Sequence, residues 1–232
     1  MRSKPETART HIYRHLLDFP VEDQILDEVL STPGRSVLDV GTGATGRSAQ
    51  KAADRGAVVT SIEVNPAAIA EFGARPGMGL AAADLLALPL RDSTFDVVQV
   101  ALHGFDYVLT PADRAAALAE VRRVLAPGGT LIFNGFNPVG LSLSPSGFRS
   151  RDMLKARLKY VGSGRFLRPT LIDVNGLELH QATVKSITTA TERAGFRRRS
   201  VRNLSGSTNT PWIVGLLSSA PYYVFERADK SG

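Results

Sequence analysis

The sequence predicts an α/β fold, a mostly parallel sheet with helices on both faces, and three observations carry that expectation. Short, continuously apolar runs recur at Val37–Val40, Val58–Ile62, Leu80–Ala83, Phe95–Leu102 and Thr130–Asn134, each separated from the next by a helix-like or turn-rich segment. Such runs suit strands covered on both sides rather than strands with one wet face. The first run also leads straight into a glycine-rich turn and then into Ala49, Ala52 and Ala53 at helical spacing.

Taken in order, residues 1–33 are read as N-terminal helices and residues 34–137 as the core. The clearest helix is predicted over Pro111–Leu125. Thr110 can cap it, Pro111 suits its first position, Asp113 sits in its first turn, and Leu118, Val121 and Leu125 form an apolar stripe. Ala126, Pro127, Gly128 and Gly129 are expected to end it in a tight turn. Past Asn137 the rhythm breaks: Pro138–Gly164 is rich in Gly, Ser, Pro and Arg with no clean period. Residues 138–180 are therefore expected to form a mobile insertion serving as a lid. Helical spacing returns from Gln181 to Ala194, Gly195 follows as a C-terminal cap, and Tyr222–Glu226 is predicted as a last strand. One domain of 232 residues accommodates all of these elements.

Composition narrows the function classes. With no cysteine, disulfides, thiolate metal sites and cysteine nucleophiles are excluded. No apolar run follows Met1–Pro5, and none is long enough for a membrane span, so a cytoplasmic protein is expected. The net charge of +6 is unevenly placed, because the segment after Asn137 holds 15 Lys and Arg against 6 Asp and Glu. That asymmetry invites a nucleic-acid partner, and it is equally explained by solubility and pairing with the acidic N-terminal part. Arg197, Arg198, Arg199 and Arg202 lie at a helix-to-strand junction, where half of a strand's side chains point inward, and no aromatic rings interleave with them. Nucleic acid is therefore not the expected partner.

The turn after the first strand reads Asp39-Val40-Gly41-Thr42-Gly43-Ala44-Thr45-Gly46. Gly41 and Gly43 allow a ligand to approach the backbone closely, and Glu63, 17 residues after Gly46, is placed to accept hydrogen bonds from two ribose hydroxyls. The same spacing suits a nicotinamide dinucleotide or a purely structural turn. Asp39, however, would face the phosphates of a dinucleotide unfavourably and could serve a zwitterionic amino acid. Asp84 could accept from an adenine amino group, with Leu85 as an apolar edge, and no Tyr is followed four residues later by Lys.

Asp39–Gly46, Glu63–Pro66, Asp84-Leu85, Phe95–Val98 and Val124–Gly129, in this order, resemble the class I S-adenosylmethionine-dependent methyltransferases over roughly residues 35–137. The resemblance implies a Rossmann-like, seven-stranded sheet whose last strand is antiparallel, with S-adenosylmethionine as cofactor. It places Gly41, Thr42 and Gly43, with Asp39 and the backbone near Ala101, around the methionyl part. Glu63 and Val64 then fall at the ribose, and Asp84 with Leu85 at the adenine. One departure stands out: the family's third glycine, common at the position of Thr45, is here Gly46. His103–Tyr107, Phe133–Asn137, Ser163–Ala182 and Trp212–Glu226 further resemble a bacterial subgroup of small methyltransferases with poorly assigned substrates.

Methyl transfer is an in-line displacement, so alignment and exclusion of water matter most, and a base helps only when the acceptor is a hydroxyl. His103 is the foremost candidate base, since it follows the fourth strand on the edge where open α/β sheets bind ligands. Packing beneath an acceptor pocket is its alternative role. Tyr107 is the second catalytic candidate, and Asp106 shares that edge. Phe105 or Phe136 could place a ring near the sulfonium, and Tyr13 could fold over the cofactor. His11 and His15 are one helical turn apart but lack a third ligand nearby, so no metal site is expected. The expected function is methyl transfer to O or N of a small-molecule acceptor. The alternatives are an RNA or ribosome methyltransferase and a cofactor-binding regulatory module without catalysis.

Overall fold

The computed structural model describes residues 19–100, 103–140, 162, 164, 168–172, 176–206 and 210–228. The chain runs α1 (Pro20–Val29), β1 (Ser36–Val40), α2 (Arg47–Ala53), β2 (Val58–Glu63), α3 (Pro66–Phe72), β3 (Met78–Ala82) and β4 (Phe95–Val100). A single 3₁₀ turn (Gly104–Tyr107), α4 (Pro111–Val124), β5 (Leu125–Asn134) and the short strands β6 (Thr170–Ile172) and β7 (Glu178–His180) follow. The chain closes with α5 (Val184–Arg193), β8 (Phe196–Arg202), α6 (Pro211–Leu217) and β9 (Tyr222–Arg227).

Seven strands form one sheet in the order β3-β2-β1-β4-β5-β9-β8. The pairings from β3 to β5 are parallel, and β9 runs antiparallel to both β5 and β8. Side-chain alternation along β1 divides the interior into two cores. Leu38 and Val40 join Val98, Phe133 and Phe225 beneath α4 and α5. Val37 joins Val97, Ile132 and Val224 beneath α1, α2 and Phe72 of α3.

Helix starts follow local chemistry. The Thr110 hydroxyl accepts from the Asp113 amide (3.1 Å) with Pro111 next in line, and Thr183 accepts from Ser186 (3.2 Å). Gly195, past the end of α5, takes φ +88°, the left-handed turn that lets the chain reverse into β8.

Several boundaries depart from the sequence reading. Ala126–Gly129 is no turn but part of β5. Phe95 pairs with Leu125 and Val97 with Thr130, so the extra residues bulge out of the ladder, helped by Gly128 at φ +70°. α5 starts at Val184 rather than Gln181: Thr183 is extended and caps the helix, and Gln181 before it bridges Phe136 as a strand residue, with the Gln181 and Ala182 amides donating to the Pro169 and Phe136 carbonyls (2.8 and 3.0 Å). The β6–β7 hairpin falls inside the segment expected to be an insertion, and α6 was not anticipated. The rest of that segment, with Tyr13, His11, His15, Ala101 and most of the expected N-terminal helices, lies outside the described residues.

The two ends of the described chain are tied by charge. Arg202, buried on β8, makes a two-pronged contact with Glu28 of α1 (2.8 and 2.6 Å), and the hydrogen bonds from Arg202 hold the Glu28 carboxyl below its usual range. A depressed carboxyl contributes stability that is present above its ordinary pKa of 4.5 and lost as pH falls through the lower folded value. Because Glu28 is half in water, Glu28→Gln is expected to cost about 1 kcal/mol, or about 2–4 °C in melting temperature. Thermal melts should show that difference at neutral pH and its disappearance on acidification below the ordinary carboxylate range; an unchanged difference in acid would assign it to packing.

Candidate active site

The strand order reverses between β1 and β4, and at that point the carboxyl edges diverge to leave a groove of about 570 Å³. Gly41, Glu63, Val64, Asp84 and Leu85 line one side, and Gly104, Tyr107 and Thr110 the other.

The glycine turn is held from below by β2, since the amides of Gly41 and Thr42 both donate to the Ile62 carbonyl (2.9 and 3.2 Å). Gly46 resolves the departure noted in the sequence. It sits at φ +56°, and a Cβ there would lie 2.0 Å from the Phe72 ring, so a glycine is required one position later than in the family pattern.

Glu63 ends β2 and folds over this turn. Its Oε2 accepts from the Gly43 amide (3.0 Å), and its Oε1 from the amides of Val64 and Asn65 (2.8 and 2.9 Å). An ionised carboxylate offers about four acceptor sites, so three are already used by the backbone. Asp84 is freer: Oδ1 accepts from the Leu86 amide (2.9 Å) and the carboxylate is exposed, with the buried Leu85 beside it.

Asp39, Thr42, Gly43 and His103 are not among the residues that line the groove; Asp39 and Thr42 are buried behind the turn, and His103 stands next to the lining residue Gly104. Asp39 Oδ1 accepts from Ser48 of α2 (2.7 Å) and Gln99 of β4 (2.9 Å), fixing both elements to β1 from beneath. Burial pushes its carboxyl above the usual range, and those hydrogen bonds offset this only in part.

Across the groove, the chain leaves β4 and turns at His103, which adopts φ +64°. Three contacts hold it in this left-handed conformation. Its amide donates to Asn134 Oδ1 (2.9 Å), its ring stacks on Phe136 (centroids 3.9 Å apart), and Nδ1 lies 2.8 Å from Asp106 Oδ2. Asp106 is 1% exposed and also accepts from the Phe136 amide (2.8 Å). Tyr107, on the same turn, projects into the groove wall and is half exposed.

Behind this turn lie groups the sequence reading missed. Arg114 of α4 donates to the carbonyls of Phe105 (2.6 Å) and Val108 (3.1 Å), pinning the wall of the groove, and its guanidinium stands over the Phe105 ring. Burial lowers its pKa against the field of Asp106. His180 is close by, pushed to about 4 by burial and the Arg114 charge, and is therefore neutral at pH 7. A second, largely apolar cavity of about 480 Å³ opens between α4 and α5 beside both residues. The missed signal was spacing: His103 and Asp106 are three apart, the interval at which side chains eclipse on a 3₁₀ turn. Arg114, one turn into an amphipathic helix, reads in sequence as a solvated residue.

Comparison with known proteins agrees with this geometry. The family described as a methyltransferase domain matches residues 38–133, from β1 to β5. A ubiquinone/menaquinone biosynthesis C-methyltransferase of Acidiphilium cryptum is 33% identical over 183 residues, covering 75% of this chain and 71% of that protein. A demethylmenaquinone methyltransferase of Renibacterium salmoninarum is 36% identical over 115 residues, 49% of this chain but only 46% of the relative's length. In fold, a methyltransferase from Clostridium acetobutylicum aligns with a TM-score of 0.69 at 14% identity, covering 96% of this chain and 99% of the other. The CcbJ methyltransferase of Streptomyces caelestis gives 0.68 at 17% identity, covering 94% and 96%. With the sheet order, the glycine turn and a relative this similar over most of its length, the chain belongs to the class I S-adenosylmethionine-dependent methyltransferases.

Proposed function

We propose that the groove at the β1–β4 divergence holds S-adenosylmethionine and that the methyl group passes to a small organic acceptor carrying an ionisable hydroxyl. The observation that carries this reading is the arrangement of the groove. Acceptor carboxylates stand at the ends of β2 and β3, the glycine turn lies between them, and the far wall belongs to the turn that bears His103. Val64 and Tyr107 remain 67% and 49% exposed on its rim, apolar surface that a flat ligand would cover. Glu63 suits the ribose and Asp84, with Leu85, the adenine. Gly41 and Gly43 leave room for the methionyl part. Asp39 and Thr42 act from behind by shaping the turn. When bound, the cofactor supplies an electrophilic methyl on a sulfonium; the chain's own task is to align the acceptor and exclude water.

Support for the acceptor class comes from two sides. The relatives' names point to quinone biosynthesis and so support a small organic acceptor; one of them is a C-methyltransferase, so oxygen as the methylated atom rests on the groove's own residues and not on the relatives. Among the described arginines of the basic segment, Arg197 and Arg199 both reach Glu226 from the surface (2.9 and 3.5 Å) and Arg202 reaches Glu28. Arg198 lines a separate groove between α5 and α6. These arginines do not present one flat phosphate-binding face.

Titration calorimetry should show S-adenosylhomocysteine binding, weakened about 10- to 150-fold by Glu63→Ala and by Asp84→Ala, the cost of one charge-assisted hydrogen bond. Tight binding of a nicotinamide dinucleotide with none of S-adenosylhomocysteine would reverse the cofactor assignment. With methyl-labelled cofactor, 1,4-dihydroxynaphthalene should gain label when incubated with the protein. Gel shifts with total cellular RNA at about 150 mM salt should show no complex below micromolar protein. A retained complex that weakens steeply with salt and disappears in an Arg197→Ala, Arg198→Ala, Arg199→Ala variant would favour an RNA substrate instead.

A further inference from the structure

We infer that His103 and Asp106 form a base pair of fixed tautomer, in which Asp106 positions the ring and His103 Nε2 removes the acceptor's hydroxyl proton during methyl transfer. The inference rests on the groove reading above and adds to it the group that makes a hydroxyl reactive.

The argument begins with Asp106 Oδ2. That oxygen accepts the Phe136 amide at 2.8 Å and faces His103 Nδ1 at the same distance. An oxygen already serving as acceptor to a backbone N–H presents an acceptor to the ring, so Nδ1 carries the hydrogen. In a neutral imidazole the other nitrogen then holds a lone pair. Among the described residues nothing hydrogen-bonds Nε2, and the side chain keeps 21% of its exposure.

The surroundings hold this geometry tightly. His103 is one of two non-glycine residues with positive φ among those described, an unfavourable conformation that persists only when neighbours enforce it. Asn134 fixes its amide and Phe136 its ring plane. Behind Asp106, Gly135 leaves the needed space, since a Cβ there would sit 3.2 Å from Asp106 Oδ1 and 3.4 Å from Ile187.

The chemistry balances simply. The acceptor's hydroxyl proton moves to Nε2, and the oxygen's electron pair forms the new bond to the methyl carbon. The carbon–sulfur bond breaks with its pair left on sulfur, and the imidazolium later gives its proton to water. An amine arriving neutral, or a carboxylate, would need no such base. The pair therefore selects for a phenolic or enolic acceptor.

Nitrogen NMR reads the tautomer directly on ligand-free, ¹⁵N-labelled protein. With four histidines in the chain, His103→Gln assigns the signal. Above neutral pH, the wild type should show Nδ1 protonated and Nε2 bare. Asp106→Ala should give mixed tautomers, whereas Asp106→Asn, which keeps an acceptor oxygen, should retain the native one. On 1,4-dihydroxynaphthalene, His103→Gln should lower kcat about 100- to 10,000-fold with KM changed less than about threefold, and S-adenosylhomocysteine affinity should stay at the wild-type value. An Nε2–H tautomer in the wild type, or turnover of His103→Gln within about threefold of it, would overturn the base. Wild-type protein that binds S-adenosylhomocysteine but leaves the hydroquinone unmethylated, or methylates only a ring carbon rather than giving the methyl ether, would instead overturn the hydroxyl acceptor, and no binding at all would overturn the groove reading.

Discussion

The constraint on which the carboxyl edge depends is the position of β1, paired in parallel with β2 on one side and β4 on the other. Chains leaving two parallel neighbours cross the sheet in opposite senses, and the space between their first turns cannot be filled by either. The Gly41–Gly46 turn closes one side of that space and the His103–Tyr107 turn the other. Both are short because neither has room to be long. Phe72 presses on the first at Gly46, and Arg114 clamps the second through two carbonyls. The groove is thus a consequence of topology, while its walls are fixed by a few packed side chains.

Two buried carboxylates stand at this edge, apart from the Arg202–Glu28 pair at the far end of the sheet. Asp39 and Asp106 each leave one carboxylate oxygen without a hydrogen-bond partner among the described residues. A buried unsatisfied acceptor costs on the order of 1–3 kcal/mol, and two apolar residues would pack better. Asp39 has a structural return, since one oxygen joins α2, β1 and β4. Asp106 joins the end of β5 to the turn after β4, and no core argument calls for that link. Of the ion pairs between α1 and α2, Arg47 with Glu22 is largely buried, whereas Lys51 with Asp23 and Arg55 with Asp27 lie nearer to water and contribute less apiece.

Much of this was legible in the sequence because period and turn chemistry are local. Apolar runs located β1 to β4, and Thr110-Pro111 marked the start of α4 to the residue. Partner-dependent features were not legible. Ala126–Gly129 has turn composition, yet β4 captures it as a bulge. Gln181 and Ala182 are good helix residues, but a strand-like bridge to Phe136 holds them extended ahead of the Thr183 cap. Asp39 was read toward the ligand because it precedes the glycines, although strand alternation places it with Val37, on the face opposite Leu38 and Val40. The place of His103 at this edge was readable from its position after a strand. Arg114 and His180 were not, because only tertiary packing removes them from water.

The clasp between Glu63 and the Gly43 amide bears on how contacts at this groove add up. A ligand diol can use the one acceptor site left on the carboxylate, but its second hydroxyl must take the place of an amide already there. Each such replacement exchanges one bond for another and frees the turn to move. Counting contacts in a filled groove would therefore overstate the binding energy, and fragments of a ligand would not sum to the whole, because only a fragment bearing the diol opens the clasp. On the proposed reading, the carboxylate that would meet the ligand is also the one that holds the turn in shape, which would couple recognition to the order of the loop.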